Sequence, residues 1–432
     1  MTQAYRVRGG HEAHLLHFAT ELRRHGFRTR IMVLDALPRE PHLFMRQLTE
    51  QGIALDGVRD ERGWLVRVLS VLAFLPWSIA VRRRGKQPQY HLLLSYIADR
   101  LSAIVLKRAV RREQPDIIHV LGRLADYAYP VLPTGRSVFH HGTEGLMDKS
   151  WDEEELGLFK TFIENAARNF APGRGVADNV TREFGIKRGI DTIYTICPDR
   201  SSGFRVRGSG FQVQGAESHE SEGEVSQPIG RRAPNVAGRQ GVGSRVSGNQ
   251  GIRFGILCRM TEEKGIRHLL PALKAYREKH GSVDFVFAGT GSMQQEIRNY
   301  LDTYDMLEVR MISAFSTPGE ILENMDVFVH PSLSDAMPMA IAEALMCGLP
   351  CVVTDVGGIP DLVRDGQEGF IIKSGSDAEI VNAMERFAAM DPQEFSEFGR
   401  RARERYEEVC RPERVGSVIA EHYSEMIKES MS

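Results

Sequence analysis

The chain has 432 residues, is 42% hydrophobic and 26% charged, and carries a formal charge of −2. That length suits two or three domains, and the composition is that of an ordinary globular protein rather than a disordered or fibrous one. The near balance of charge gives no whole-protein electrostatic reason to bind nucleic acid, and five scattered cysteines argue against a disulfide framework and for a reducing cytoplasm.

The first ten residues, MTQAYRVRGG, have no apolar core of the kind a signal peptide needs. Gly9-Gly10 opens a helix, HEAHLLHFATELRRHG, whose Leu15, Phe18, Ala19 and Leu22 share one face. Gly26 closes it, and RTRIMVL follows as a strand. A Gly-Gly turn at a helix N-terminus lets backbone approach a phosphate closely. His11, His14 and His17 resemble a zinc helix only superficially. Steps of three drift around the helix, whereas that motif needs two histidines four apart.

Trp64–Val81 is the most apolar stretch and is followed by Arg82-Arg83-Arg84. Arg67 and Pro76 count against a spanning helix. Three readings stay open: a helix of the N-terminal domain, a helix lying on a membrane surface with a basic flank, or, against those two residues, a spanning helix. Residues 115–120, PDIIHV, and the later SVFHHGTE read as buried strands. His140 and His141 sit side by side at the end of the second, so their side chains point to opposite faces. A helix over 152–170, another over 174–185 and a strand DTIYTIC complete an α/β domain. The expected division is an N-terminal Rossmann-like domain over 1–198, a Gly/Ser/Arg-rich linker or insertion over 199–250, and a C-terminal domain over 251–432.

The second domain opens with the strand IRFGILC and a turn carrying Arg259 and Lys264. Fixed cations at such a turn can stabilise charge that builds on a departing diphosphate. Arg grips phosphate through two N–H groups, and Lys acts as a point charge. DFVFAGTGSMQQEI reads as strand, Gly289-Thr290-Gly291 turn and helix. Gln294 stands where a dinucleotide fingerprint has its third glycine, so the pair is read as lining a nucleotide cleft rather than an NAD site. Val327–Val363 then runs strand, loop, helix, strand, Gly-Gly turn, helix. Ligands bind outside the carboxyl ends of such strands, and helix N-termini offer N–H groups to anions. The loop Asp335–Pro338 is therefore where an anionic ligand belongs. Glu343 lies one helical turn beyond Met339 and can reach a group attached to that anion. Helices over 376–389, 393–408 and 412–430 finish the chain.

Glu343, Cys347-Gly348-Leu349-Pro350 and Val356-Gly357-Gly358-Ile359-Pro360-Asp361 resemble the C-terminal signature of family-4 retaining glycosyltransferases of GT-B fold. Those enzymes carry two glutamates separated by seven residues; here Asp335 stands in place of the first, Glu343 matches the second, and Ala336-Met337 stands where Gly-Phe usually follows. Arg259 and Lys264 match the family's G-R-x-x-x-x-K-G turn. The likeness covers about residues 9–198 loosely and 252–425 well. It implies two doubly wound Rossmann-like domains facing a cleft that closes on a nucleotide-sugar donor. It also implies roles. Gly9 and Gly10 face donor and acceptor, and His141 contacts the transferred sugar. Arg259 and Lys264 hold the diphosphate, N–H groups near Met339 add positive potential, and Glu343 takes the ribose hydroxyls. Asp335 binds sugar hydroxyls or orients the donor. The family carries a strand ahead of the Gly-Gly turn, and MTQAYRVR is too short and polar to supply it with its loop. The first strand of the N-terminal domain is thus expected to be absent.

The resulting expectation is a hexosyltransferase-type enzyme of polysaccharide biosynthesis. It moves a sugar with retention from a UDP- or GDP-sugar to a sugar or lipid-linked acceptor. The cations leave no obligatory metal, no other cofactor is required, and no nucleic acid takes part. The expected place is the cytoplasm, with peripheral contact at the membrane face. The alternative is a catalytically impaired GT-B-like protein that still binds nucleotide sugars.

Overall fold

The computed structural model describes residues 10–33, 43–57, 103–121, 132–140, 153–199, 251–315 and 317–431. The stretch 64–84, Gly9, His141 and the segment 200–250 lie outside the described residues.

Twelve strands are described, all pairing in parallel: β1 Arg30–Val33, β2 Ala54–Gly57, β3 Ile118–Leu121, β4 Ser137–His140, β5 Arg168–Ala171, β6 Asp191–Thr192, β7 Arg253–Leu257, β8 Asp284–Ala288, β9 Val309–Ile312, β10 Val327–His330, β11 Cys351–Thr354 and β12 Gly369–Ile372. The last six form one sheet in the order β12-β11-β10-β7-β8-β9. The central strands β10 and β11 are short apolar runs because helices cover both faces, whereas the edge strand β9 carries the exposed Arg310. Successive side chains alternate between those faces. Phe328 and Val353 enter the core that holds Ile341, Leu345 and Tyr406. Val327, Val329 and Val352 enter the opposite core with Leu269, Leu273 and Phe387.

The N-terminal half differs. Strands β3-β4-β5-β6 form a four-stranded sheet, while β1 and β2 pair only with each other. Among the described residues no strand joins β1 to β3. The residues ahead of the Gly-Gly turn, on which the expectation of an absent first strand falls, lie outside the described residues. A helix spans Gly10–Arg24 as expected, and Gly26 leaves it at φ +87°.

Two local expectations are corrected. The single helix over 152–170 is a helix Glu153–Asn165 followed by β5. The Asn165 side chain turns back to the Thr161 carbonyl over 2.7 Å, and Arg168–Phe170 then pair with β4. The strand DTIYTIC is only two residues long at β6. Beyond it the chain is held by other contacts, with Cys197 N donating to Cys410 O over 2.9 Å.

The last helix, Pro412–Met431, belongs to the segment 251–432 in sequence but packs on the N-terminal sheet. Val415, Ile419, Tyr423 and Met426 lie on one face of that helix and meet Phe18, Leu22, Val138 and Phe170. The two halves are thereby joined at both crossings of the chain.

Candidate functional site

The order of the C-terminal sheet places β7 between β10 and β8, so the connections leave β7 toward one side and return on the other. Ligand crevices open at such a switch point. Val327 pairs with Phe254 and Phe328 with Gly255, so β7 and β10 end side by side. Their following loops hold residues 258–265 and 331–338, and the two loops pack directly against each other. Gly265 has φ +69°, and a methyl group added there would lie 1.8 Å from the Pro331 carbonyl oxygen. Only glycine fits that conformation and that approach. Leu333 N and Ser332 Oγ both donate to the Glu263 carbonyl, over 2.8 and 2.9 Å.

This packing brings Lys264 to Asp335. Lys264 Nζ donates to Asp335 Oδ2 over 2.7 Å, with the two side chains 9% and 8% exposed. His330, the last residue of β10, places Nε2 3.1 Å from the same oxygen. Burial would raise the Asp335 carboxyl. The hydrogen bond and charge of His330, followed by those of Lys264, outweigh burial and hold it below the usual aspartate value. Asp335 is therefore an ionised acceptor at neutral pH. Arg259, on the same loop as Lys264, is exposed and makes no ion pair among the described residues. The neighbouring Cys258 thiol is pushed up to about 12, chiefly by burial, so it stays protonated and is no nucleophile.

Met339 begins the helix Met339–Met346, with Pro338 as its N-cap in extended conformation. Gly348, at φ +70°, follows the C-cap Cys347. Met339 and Glu343 line a recess together with Pro318, Gly319 and the crossover residues Cys197 and Pro198. Glu343 thus faces the region where the chain passes between the halves. Behind the Asp335 loop lies the Gly-Gly turn. Gly357 has φ +55°, and a methyl group there would lie 1.8 Å from Asp335 O. The loop also meets the N-terminal half, since Ala336 shares a core with Val176, Ala177 and Val180.

Of the residues predicted for the site, Lys264 and Asp335 touch, Arg259 shares the Lys264 loop, and Met339 and Glu343 share the recess. Gly10 is the first residue of its helix. His140, the neighbour of His141, is buried against His119 with ring centroids 5.4 Å apart. Sequence reasoning missed His330 and the ion pair of Arg174 with Asp361. The signal for His330 was a polar residue closing the apolar run VFVH. Nothing in sequence spacing links Arg174 to Asp361. Among the described residues no three His, Cys, Asp or Glu side chains are grouped to hold a metal ion, and no helix is long and apolar enough to cross a membrane.

Two family models match: Glycosyltransferase Family 4 over residues 8–197 and Glycosyl transferases group 1 over 248–405. The fold is the two-domain GT-B architecture, and the chain belongs to the family-4 glycosyltransferases of that fold. It is 27% identical over 160 residues to the putative colanic acid biosynthesis glycosyltransferase WcaL of Escherichia coli K12, spanning 35% of this chain and 39% of that protein. It is 25% identical over 304 residues to an E. coli UDP-Gal:alpha-D-GlcNAc-diphosphoundecaprenol alpha-1,3-galactosyltransferase, spanning 68% of this chain and 71% of the relative. The match to WcaL thus spans about two-fifths of that relative's length. The structure of Anabaena Alr3699/HepE in complex with UDP and glucose superposes with a TM-score of 0.61 at 15% identity, covering 97% of this chain and 96% of that one.

Proposed function

We propose that this chain is a retaining hexosyltransferase acting in polysaccharide assembly, with a UDP- or GDP-sugar as donor and a sugar or lipid-linked acceptor. The observation that carries the reading is the convergence of Lys264, Arg259 and Asp335 at the β7/β10 switch point, beside the N-terminus of the helix that bears Glu343. Family membership and the activities for which the relatives are named support it.

In this reading Arg259 and Lys264 hold the diphosphate, and the first N–H groups of the helix Met339–Met346 add positive potential. Glu343 accepts hydrogen bonds from the ribose hydroxyls. Asp335 accepts from hydroxyls of the transferred sugar, with His141 and the turn at Gly9 and Gly10 facing it from the other half. The bond between the anomeric carbon and the diphosphate oxygen breaks. The acceptor oxygen bonds to that carbon on the same face, and its proton passes to the departing diphosphate. Cations take the place of an obligatory metal, and no other cofactor is required. The apolar stretch before Arg82-Arg83-Arg84 fits work at a membrane surface on the cytoplasmic side.

The test is calorimetric titration with UDP and GDP, then assay of sugar release and NMR of the product's anomeric configuration. Binding of one nucleotide that is lost in Arg259→Ala, with a retained configuration, supports the reading. Inversion, or failure to bind either nucleotide, overturns it.

A further inference from the structure

His330 is 2% exposed and lies nearly parallel to the fully buried Phe328, at 15° and 6.0 Å between ring centroids. Its Nε2 meets Asp335 Oδ2 at 3.1 Å. Its Nδ1 is buried and has no hydrogen-bond partner among the described residues. An unpaired buried ring nitrogen is unfavourable. A phenylalanine would fill the same space without that cost, so packing alone does not account for a histidine here. What histidine adds is the Nε2–H directed at Asp335.

We propose that His330 is a positioning residue that fixes the Asp335 carboxylate toward the donor sugar. This rests on the role given to Asp335 above. Both hydrogen bonds to that carboxylate fall on Oδ2, one from the ring and one from Lys264. Lys264 must also serve the diphosphate, so its hold on Asp335 weakens when donor arrives. His330 carries no second duty. It sits on a strand rather than a loop, and the chain between the two residues is pinned by Thr354 Oγ1 donating to Ser332 O over 2.7 Å. The ring therefore keeps the carboxylate in place while the ammonium turns to phosphate.

Two variants separate positioning from packing. His330→Phe keeps the ring and the stack but removes the donor. His330→Gln returns an amide N–H near the Nε2 position. In the full chain, His330→Phe is expected to lower turnover about 100-fold, the effect of misplacing a reacting group by about 1 Å. UDP affinity stays at the parent value, the melting temperature falls only slightly because the lost hydrogen bond is partly offset by removal of the unpaired Nδ1, and His330→Gln recovers most of the turnover. Parental turnover in His330→Phe overturns the proposal. So does a parallel loss of turnover, UDP affinity and melting temperature that His330→Gln fails to restore. A further readout is independent of catalysis: the imidazole Nε2–H should give a downfield, slowly exchanging proton resonance that vanishes in Asp335→Asn. Its absence from the parent chain overturns the pairing itself. A parent chain that shows the resonance but binds no nucleotide and releases no sugar instead overturns the proposed function.

Discussion

Arg174 reaches across from the N-terminal half to Asp361: its backbone N–H and its Nε both donate to that carboxylate, the Nε over 2.5 Å. The Asp361 side chain is almost wholly buried, and its own carbonyl accepts from Arg405 over 2.7 Å. Beside this pair the two backbones touch. A methyl group on Gly175 would lie 2.0 Å from Gly357 O, just as one on Gly357 would lie 1.8 Å from Asp335 O. A continuous line of backbone contact therefore runs from the N-terminal helix Arg174–Phe184, through the Gly-Gly turn, to the loop that carries Asp335.

Gly175→Ala should break that line, since the methyl group must push the Gly357 carbonyl away. Turnover is expected to fall at least about tenfold, because a shift of about 1 Å can cost about 100-fold. UDP affinity should fall less than turnover, since Arg259 lies on the loop after β7 rather than on the Asp335 loop. Steady-state kinetics beside calorimetry checks this. Parental turnover would show that the contact does not reach Asp335.

The ion pair itself divides unequally in stability. The Arg174 side chain is 73% exposed, so Arg174→Ala should cost less than about 1 kcal/mol. Asp361→Ala removes a buried acceptor at the first turn of the helix and should cost about 1–3 kcal/mol. Urea unfolding of both variants checks the ranking. Equal losses would mean that Asp361 acts only through Arg174.

Much of the C-terminal half was legible in the sequence because its central strands are apolar runs and its loops end in glycines with fixed duties. VFVH and CVVT could hardly be anything but buried parallel strands, and Gly348 and Gly357 mark real changes of backbone hand. The N-terminal half was harder. RNFA at β5 reads as a continuation of the preceding helix, because Asn169 can sit in either element and only pairing with β4 decides. The final helix looks local, yet its apolar stripe is completed by Phe18 and Phe170 from the other half. The site was legible as residue types on loops. Its charge pairing was not, because the contact of Lys264 with Asp335 depends on strand order, which sequence spacing does not record.

Asp335 sets an acid limit on stability. His330 and Lys264 hold its folded carboxyl below the unfolded value of about 3.9. For a depressed carboxyl the stabilisation is fully present above the unfolded value and is lost as pH falls through the folded one. The parent chain should therefore exceed Asp335→Asn in stability at pH 6, and the gap should close below about pH 3.9. Unfolding free energies measured across that range test the sign. A gap that widens on acidification would mean that the folded carboxyl is raised rather than lowered.

The two cations of the β7 loop should separate cleanly on mutation, because among the described residues one makes no ion pair and the other is bound to Asp335. Arg259 is exposed, so Arg259→Ala should change stability by no more than about 0.5 kcal/mol. Losing charged hydrogen bonds worth about 1.5–3 kcal/mol should weaken UDP binding about 10- to 100-fold. Lys264 is buried against Asp335. Lys264→Ala strands a carboxylate, which costs about 3–5 kcal/mol when nothing else holds it. His330 still does, so a loss near the lower end is expected, together with weakened UDP binding. Calorimetry and thermal melts on the two variants give four numbers. Loss of affinity alone in Arg259→Ala and of both quantities in Lys264→Ala fits the assignment. If Lys264→Ala binds UDP like the parent, the lysine serves Asp335 only, and the diphosphate must be held by Arg259 and the helix N-terminus at Met339.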